Sequence, residues 1–202
     1  MVPLKSTNIS IVPKANASLK VIKELRCVST TLPAITIKGI GKDLGPADEV
    51  IDLGGKLVIA PYVDPHLHLD YVYTLSELGE EGAGSGTLYE AIEMWPKFKE
   101  KLTVDSVKKL ALKGIKDEVS QGVQYIRAQT DVTDPNFTGL KAMLELREEL
   151  KNIVEIQVVA FPQNGMYTYK GGRELVEEAL KMGADVVGGI PHYEPAREFG
   201  EK

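Results

Sequence analysis

Residues 57–70 read LVIAPYVDPHLHLD: an apolar, β-prone run leads into two histidines one residue apart. Along an extended strand successive side chains alternate between faces, so His66 and His68 project to one side and Leu67 to the other. Two imidazoles placed this way form a two-point clamp for a metal ion, whereas the same pair in an irregular loop is two partly exposed side chains. The carboxyl ends of strands are where parallel α/β proteins build their sites, and the pair falls at such an end. Asp64 and Asp70 flank it and are placed to orient an imidazole through its second nitrogen.

Downstream of this stretch the chain repeats one rhythm: an apolar β-rich run, a polar loop, then an amphipathic stretch with helical spacing. Strands are expected at 57–63, 123–128, 153–161 and 185–190. Leu88, Ala91, Ile92, Trp95 and Phe98 stripe one helix, in which Pro96 predicts a kink, and Val104, Val107, Leu110, Ala111 and Ile115 stripe a second. Thr103 is the N-cap candidate of the second helix and Gly122 the glycine that ends it. Leu140, Met143, Leu144 and Leu150 stripe a third, and Leu175, Val176, Ala179 and Leu180 a fourth that stops at Gly183. Alternating strands and helices imply a mainly parallel, helix-covered sheet, open or closed as a barrel. Four strands are too few to close a (β/α)₈ barrel, so the barrel reading makes residues 56–202 the first four βα units of a partial TIM-type barrel.

Residues 1–55 differ. Short β-prone pieces such as AITIKGIG sit among Pro, Gly and Ser, and predict part of a small β-sandwich appendage. The chain of 202 residues carries 24 basic and 29 acidic side chains with no long basic block, so nucleic acid is not an expected partner. No apolar run reaches membrane-spanning length, no signal-peptide pattern opens the chain and its single Cys27 precludes an internal disulfide; a cytoplasmic protein without a membrane partner is the expectation. Zinc deaminases built on H-x-E with P-C-x-x-C are excluded by that same cysteine count.

APYVDPHLHLD resembles the opening signature of the amidohydrolase superfamily, and the wider match is similar to its cytosine deaminases. SGTLYEAIEMW (85–95), GLKAMLELREEL (139–150), IQVVAFPQNG (156–165) and GADVVGGIPHYEPAREFG (183–200) carry the resemblance across about residues 56–202. It implies one divalent metal ion, zinc or iron, with His66 and His68 as ligands. The same resemblance makes Gln163 the amide that grips a nucleobase-like substrate and Leu88 a wall of its pocket. Relatives with two metals use a lysine after the fourth strand; VVGGIPHYE has none, so a single metal is implied, and His192 nearby is not counted as a ligand. The implied reaction is hydrolytic deamination of cytosine to uracil and ammonia.

Two departures qualify this. Gln129 stands where close relatives have histidine, which leaves open a related amidohydrolase acting on another nitrogen heterocycle. The third histidine ligand with its catalytic glutamate, a further histidine and a late aspartate have no counterpart, so no catalytic residue is assigned within this chain. The chain is therefore expected to be an amino-terminal half, inactive alone. It would be complemented by a carboxyl-terminal half, self-associated as a homo-oligomer, or a catalytically inactive remnant or partner subunit. Asp131 and Asp134 read as a turn and a cap, and Tyr71, Tyr73 and Trp95 as packing residues.

Overall fold

The structure, a computed structural model, describes residues 7–12, 25–31, 34–40, 46, 49–52, 59–77, 87–196 and 198. The chain divides into two compact units, Met1–Pro61 and Tyr62–Lys202. In the first, β1 (Thr7–Val12), β2 (Leu25–Thr31), β3 (Ala34–Ile40) and β4 (Glu49–Asp52) form one sheet in the order β3-β2-β1-β4. β1 pairs antiparallel with β2 and parallel with β4, which makes the sheet mixed.

The second unit runs β5 (Tyr62–Leu67), α1 (Leu88–Lys99), α2 (Val104–Ser120), β6 (Val123–Asp131), α3 (Thr138–Leu150), β7 (Glu155–Phe161), α4 (Gly172–Met182) and β8 (Val186–Val187). Its strands are parallel and neighbour one another in chain order, β5-β6-β7-β8. This is the α/β arrangement of a partial TIM-type barrel: each strand feeds a helical connection that returns the chain to begin the next strand alongside.

Local chemistry bounds these elements. The Thr103 hydroxyl accepts from the Ser106 N–H at 3.2 Å and the Thr103 N–H donates to the Ser106 hydroxyl at 2.9 Å, a reciprocal cap that starts α2. Gly122 (φ 92°) and Gly183 (φ 117°) follow α2 and α4 in the left-handed region where glycine carries no Cβ penalty. Asp134 accepts from the N–H groups of Asn136 and Thr138 just ahead of α3, although the N-cap residue itself is Phe137, in the left-handed region and without a side-chain cap. α1 runs through Pro96 to Lys99.

Strand bounds differ from expectation at both edges of the sheet. β5 is described at Tyr62–Leu67 and not at 57–63, so His66 lies inside the strand; Leu57 and Val58 fall outside the described residues. Pro65 has no N–H to donate, and the pairing with β6 shifts register between Asp64 and Leu67, as an edge strand tolerates. β8 shrinks to two residues because Gly188 follows at once, packed against Val159 and Phe161.

Alternation along β6 and β7 separates two faces. Ile126, Ala128, Ile156, Val158 and Ala160 are buried in a core with Val107, Ala111 and Ile115 of α2 and Leu140, Met143 and Leu146 of α3. Burying each large aliphatic side chain there contributes about 1.5–3 kcal/mol. The intervening residues, Arg127, Gln129, Asp131, Gln157, Val159 and Phe161, point to the opposite face. Leu67 packs on the core beside Ala128, its register partner, so His66 and His68 belong to the opposite, polar face.

Candidate active site

His66 and His68 stand at the carboxyl end of β5 with ring centroids 5.3 Å apart. His66 is exposed. His68 is half-buried, stacked on Tyr71 at 4.6 Å and met edge-on by Phe161 at 5.4 Å. Burial, reinforced by the neighbouring His66, lowers the His68 pKa to about 4, against smaller opposing effects of the Asp131 charge and the Gln129 backbone. His68 is therefore a neutral imidazole at pH 7, the form that offers a lone pair to a metal. Its Nδ1 is buried without a hydrogen-bond partner. An orphaned ring nitrogen of this kind costs desolvation energy until a ligand satisfies it.

The aspartates do not orient the imidazoles as expected. The Asp64 carboxylate accepts from the His66 backbone N–H at 2.9 Å, replacing the ladder bond lost at the register shift beside Pro65. Asp70 turns inward, where its Oδ2 accepts from the Asp131 N–H at 2.7 Å and its Oδ1 has no partner. Burial, only partly offset by that hydrogen bond, pushes the Asp70 pKa up to about 8.

Gln163 is buried just after β7, and its Oε1 accepts from the Tyr71 hydroxyl at 3.4 Å. The metal-ligand candidate His68 and the ring-binding candidate Gln163 thus share one neighbour. Burial, with the charges of Asp70 and Asp131, raises the Tyr71 pKa well above the phenolic range, so the hydroxyl keeps its proton. Leu88 is the first residue of α1, whose start is set by Thr87 accepting from the Glu90 N–H; the Leu88 side chain lies outside the described residues. Gln129 is buried in β6 on the polar face. His192 is exposed in the 3₁₀ turn Pro191–Tyr193.

Beside this site lies a polar knot that sequence reasoning missed. Asp131 is not in a turn; it ends β6, almost fully buried. Its Oδ2 accepts from Trp95 Nε1 at 2.8 Å and Lys99 Nζ at 2.9 Å, and its Oδ1 from the Thr133 N–H and hydroxyl. Lys99 Nζ also donates to the Thr133 carbonyl at 2.7 Å and the Asn164 side-chain oxygen at 2.9 Å. One signal was available: Lys99 lies four residues after Trp95 on the apolar stripe of α1, where a lysine needs a buried acceptor. A small pocket lined by Asp70, Trp95, Lys99, Asp131 and Gly139 adjoins the knot, but neither His66, His68 nor Gln163 borders it. Within the knot Lys99 and Asp131 satisfy one another, whereas Asp70 Oδ1 at the edge of the pocket has no partner.

Among the described residues no group of three or more His, Cys, Asp or Glu converges as a complete metal site. The neutral His68 imidazole with its unpartnered Nδ1 and the adjacent His66 fit a divalent ion as part of a ligand set, short of the three protein ligands a catalytic metal generally holds. Among the described residues no helix is long and apolar enough to cross a membrane.

No protein-family model matches the sequence. The chain is 34% identical over 157 residues to an N-isopropylammelide isopropyl amidohydrolase of Pseudomonas sp. (strain ADP), a match covering 76% of this chain and 39% of that protein. Its fold superposes on a 5-methylcytosine deaminase from Klebsiella pneumoniae liganded with phosphonocytosine, with a TM-score of 0.76 and 37% identity over 95% of this chain and 46% of that one. An N-isopropylammelide isopropylaminohydrolase from Burkholderia multivorans, at 23% identity and a TM-score of 0.67, shares the fold over 90% of this chain and 44% of its own. The chain spans less than half the length of these relatives.

Proposed function

We propose, for a chain that matches the amino-terminal portion of longer amidohydrolase-superfamily enzymes, that it supplies the metal-binding and ring-binding side of a hydrolytic deaminase acting on a nitrogen heterocycle, with cytosine the first substrate to test. The observation that carries this reading is the neutral His68 ring, its Nδ1 buried and unpartnered, set between His66 and the Tyr71–Gln163 pair. His66 and His68 are the residues of this chain that would hold a divalent ion. The chemistry such an ion supplies when bound is activation of water at neutral pH.

This chain's own residues bind and orient. The Gln163 carboxamide hydrogen-bonds the ring edge, Leu88 is the proposed apolar wall, and Phe161 and Tyr71 brace the His68 ring. In the overall reaction water adds to the amino-bearing carbon, the exocyclic C–N bond breaks and ammonia leaves with the transferred protons. The carboxylate that moves those protons, and the remaining ligands, belong in this reading to a complementing carboxyl-terminal portion.

The test is ammonia release from cytosine by the purified chain with Zn²⁺ or Fe²⁺, alone and mixed with a recombinant carboxyl-terminal portion of a relative. Activity in the mixture that is lost on His66→Ala and Gln163→Ala supports the reading, and absence of activity in every mixture refutes it. The 34% identity to an N-isopropylammelide amidohydrolase favours a second reading, in which the same addition of water expels isopropylamine in place of ammonia, so N-isopropylammelide is tested in the same mixtures with release of that amine as the readout.

A further inference from the structure

We propose that Tyr71 is a positioning residue that fixes the Gln163 carboxamide with its nitrogen toward the bound ring, so that the site selects heterocycles presenting a hydrogen-bond acceptor, such as a ring carbonyl, at that edge. The inference rests on the reading of Gln163 as a ring-binding group and adds a direction to it.

A glutamine amide turned by 180° exchanges a two-proton donor for an acceptor, so an unrestrained Gln163 reads either kind of ring edge. The Tyr71 hydroxyl, 3.4 Å from Gln163 Oε1, breaks that symmetry, since a phenol is a better donor than acceptor and a carbonyl oxygen only accepts. The Gln163 side-chain nitrogen makes no hydrogen bond among the described residues, which leaves it as the group available to a ligand. Gln163 is 4% exposed, yet its side-chain nitrogen is not one of the fully buried atoms left without a partner, so it can be reached by an acceptor on the ring.

Tyr71 is itself immobilised. Its ring lies against His68 at 4.6 Å and Trp95 at 4.3 Å, and Trp95 is tied to Asp131 by a 2.8 Å hydrogen bond. Its backbone carbonyl accepts from the Thr74 hydroxyl at 2.6 Å. The polar knot therefore acts on the site through one aromatic relay, from Asp131 to Trp95 to Tyr71 to Gln163.

Two readouts on the full chain test this. In the first, the Gln163 side-chain amide resonances are followed by NMR in the wild type and in Tyr71→Phe, which keeps the stack on His68 and removes only the hydroxyl. The pair is expected to move in the variant. The second readout compares binding of cytosine with that of 4-aminopyrimidine, which lacks the ring carbonyl, in the presence of Zn²⁺. A wild-type preference for cytosine of roughly 10-fold is expected to narrow about 5-fold in Tyr71→Phe, on the scale of one hydrogen bond, with Zn²⁺ affinity unchanged. Gln163→Glu, which can still accept from Tyr71 but cannot donate when ionised, should lose the preference entirely. Unmoved amide resonances, or a preference that Tyr71→Phe leaves intact, overturn the proposal. If the wild type binds neither ring while the amide resonances respond to Tyr71→Phe, the heterocycle reading fails and the orienting role of Tyr71 stands.

Discussion

The knot around Asp131 and the histidine pair of β5 are both polar clusters at the carboxyl ends of parallel strands, yet their hydrogen bonding is opposite. Asp131 is almost fully buried and its carboxylate meets four donors. His68 is half-buried and leaves Nδ1 with none. Closed networks of the first kind repay their desolvation internally and lock the elements that supply them, here α1, β6 and the segment after β7. An orphaned atom of the second kind is costly in isolation, a cost that a water, an ion or a ligand bound there removes. In the proposed reading the knot is structural and the histidines bind the ligand, and each half of that contrast is open to experiment.

The largest effect should come from Lys99→Met. It strands the Asp131 charge in a site where the lysine and aspartate side chains are 13% and 2% exposed. Breaking a buried pair from one side costs about 3–5 kcal/mol, which urea denaturation would register as a lower midpoint. A midpoint within experimental error of the wild type would mean that the knot is not the structural half of the comparison.

Gly172→Ala comes next. Its Cβ would lie 2.6 Å from the Met166 carbonyl oxygen and 2.8 Å from that of Gly165, so backbone in the segment after Gln163 must shift. A loss of about 1–3 kcal/mol is expected, together with weaker ring binding, read by thermal melting and ligand titration. Unchanged ring affinity would separate that segment's packing from the site.

His66→Ala probes the ligand-binding half. Because His66 is exposed, stability should stay within about 0.5 kcal/mol, while Zn²⁺ affinity measured by calorimetry falls at least tenfold. Equal Zn²⁺ affinity in wild type and variant would remove the histidine pair from ligand binding. The smallest effect expected is that of Thr103→Ala, about 1 kcal/mol of stability from the lost cap of α2 and no change in metal or ring binding.

Much of the fold is legible in the order of residues alone. Helical stripes place α1 to α4, Thr103 and Gly122 mark the ends of α2, and the alternation of strands and helices calls for a parallel sheet. The widest errors of bounds fall at the two edge strands, where pairing is one-sided among the described strands and proline or glycine interrupts the ladder; β6 also runs on past 128 to Asp131, and β7 begins at Glu155, not at 153. At the site, His66, Leu67 and His68 divide between two faces by strand geometry alone. The partners of Asp64 and Asp70 could not be read this way, because a backbone register shift decides which N–H groups are left without a ladder bond.

Neighbours within a turn of helix or a step of strand suffice, then, to set the caps, the stripes and the common side of His66 and His68, and these are written in the sequence. Which polar groups share a dry environment is a property of the assembled fold. Lys99 meets Asp131 across 32 residues and Tyr71 meets Gln163 across 92. Such pairs carry no periodic signal. They form because sheet register and helix packing bring distant residues into a space from which water is excluded, and there each polar atom must find a partner in the protein or wait for one.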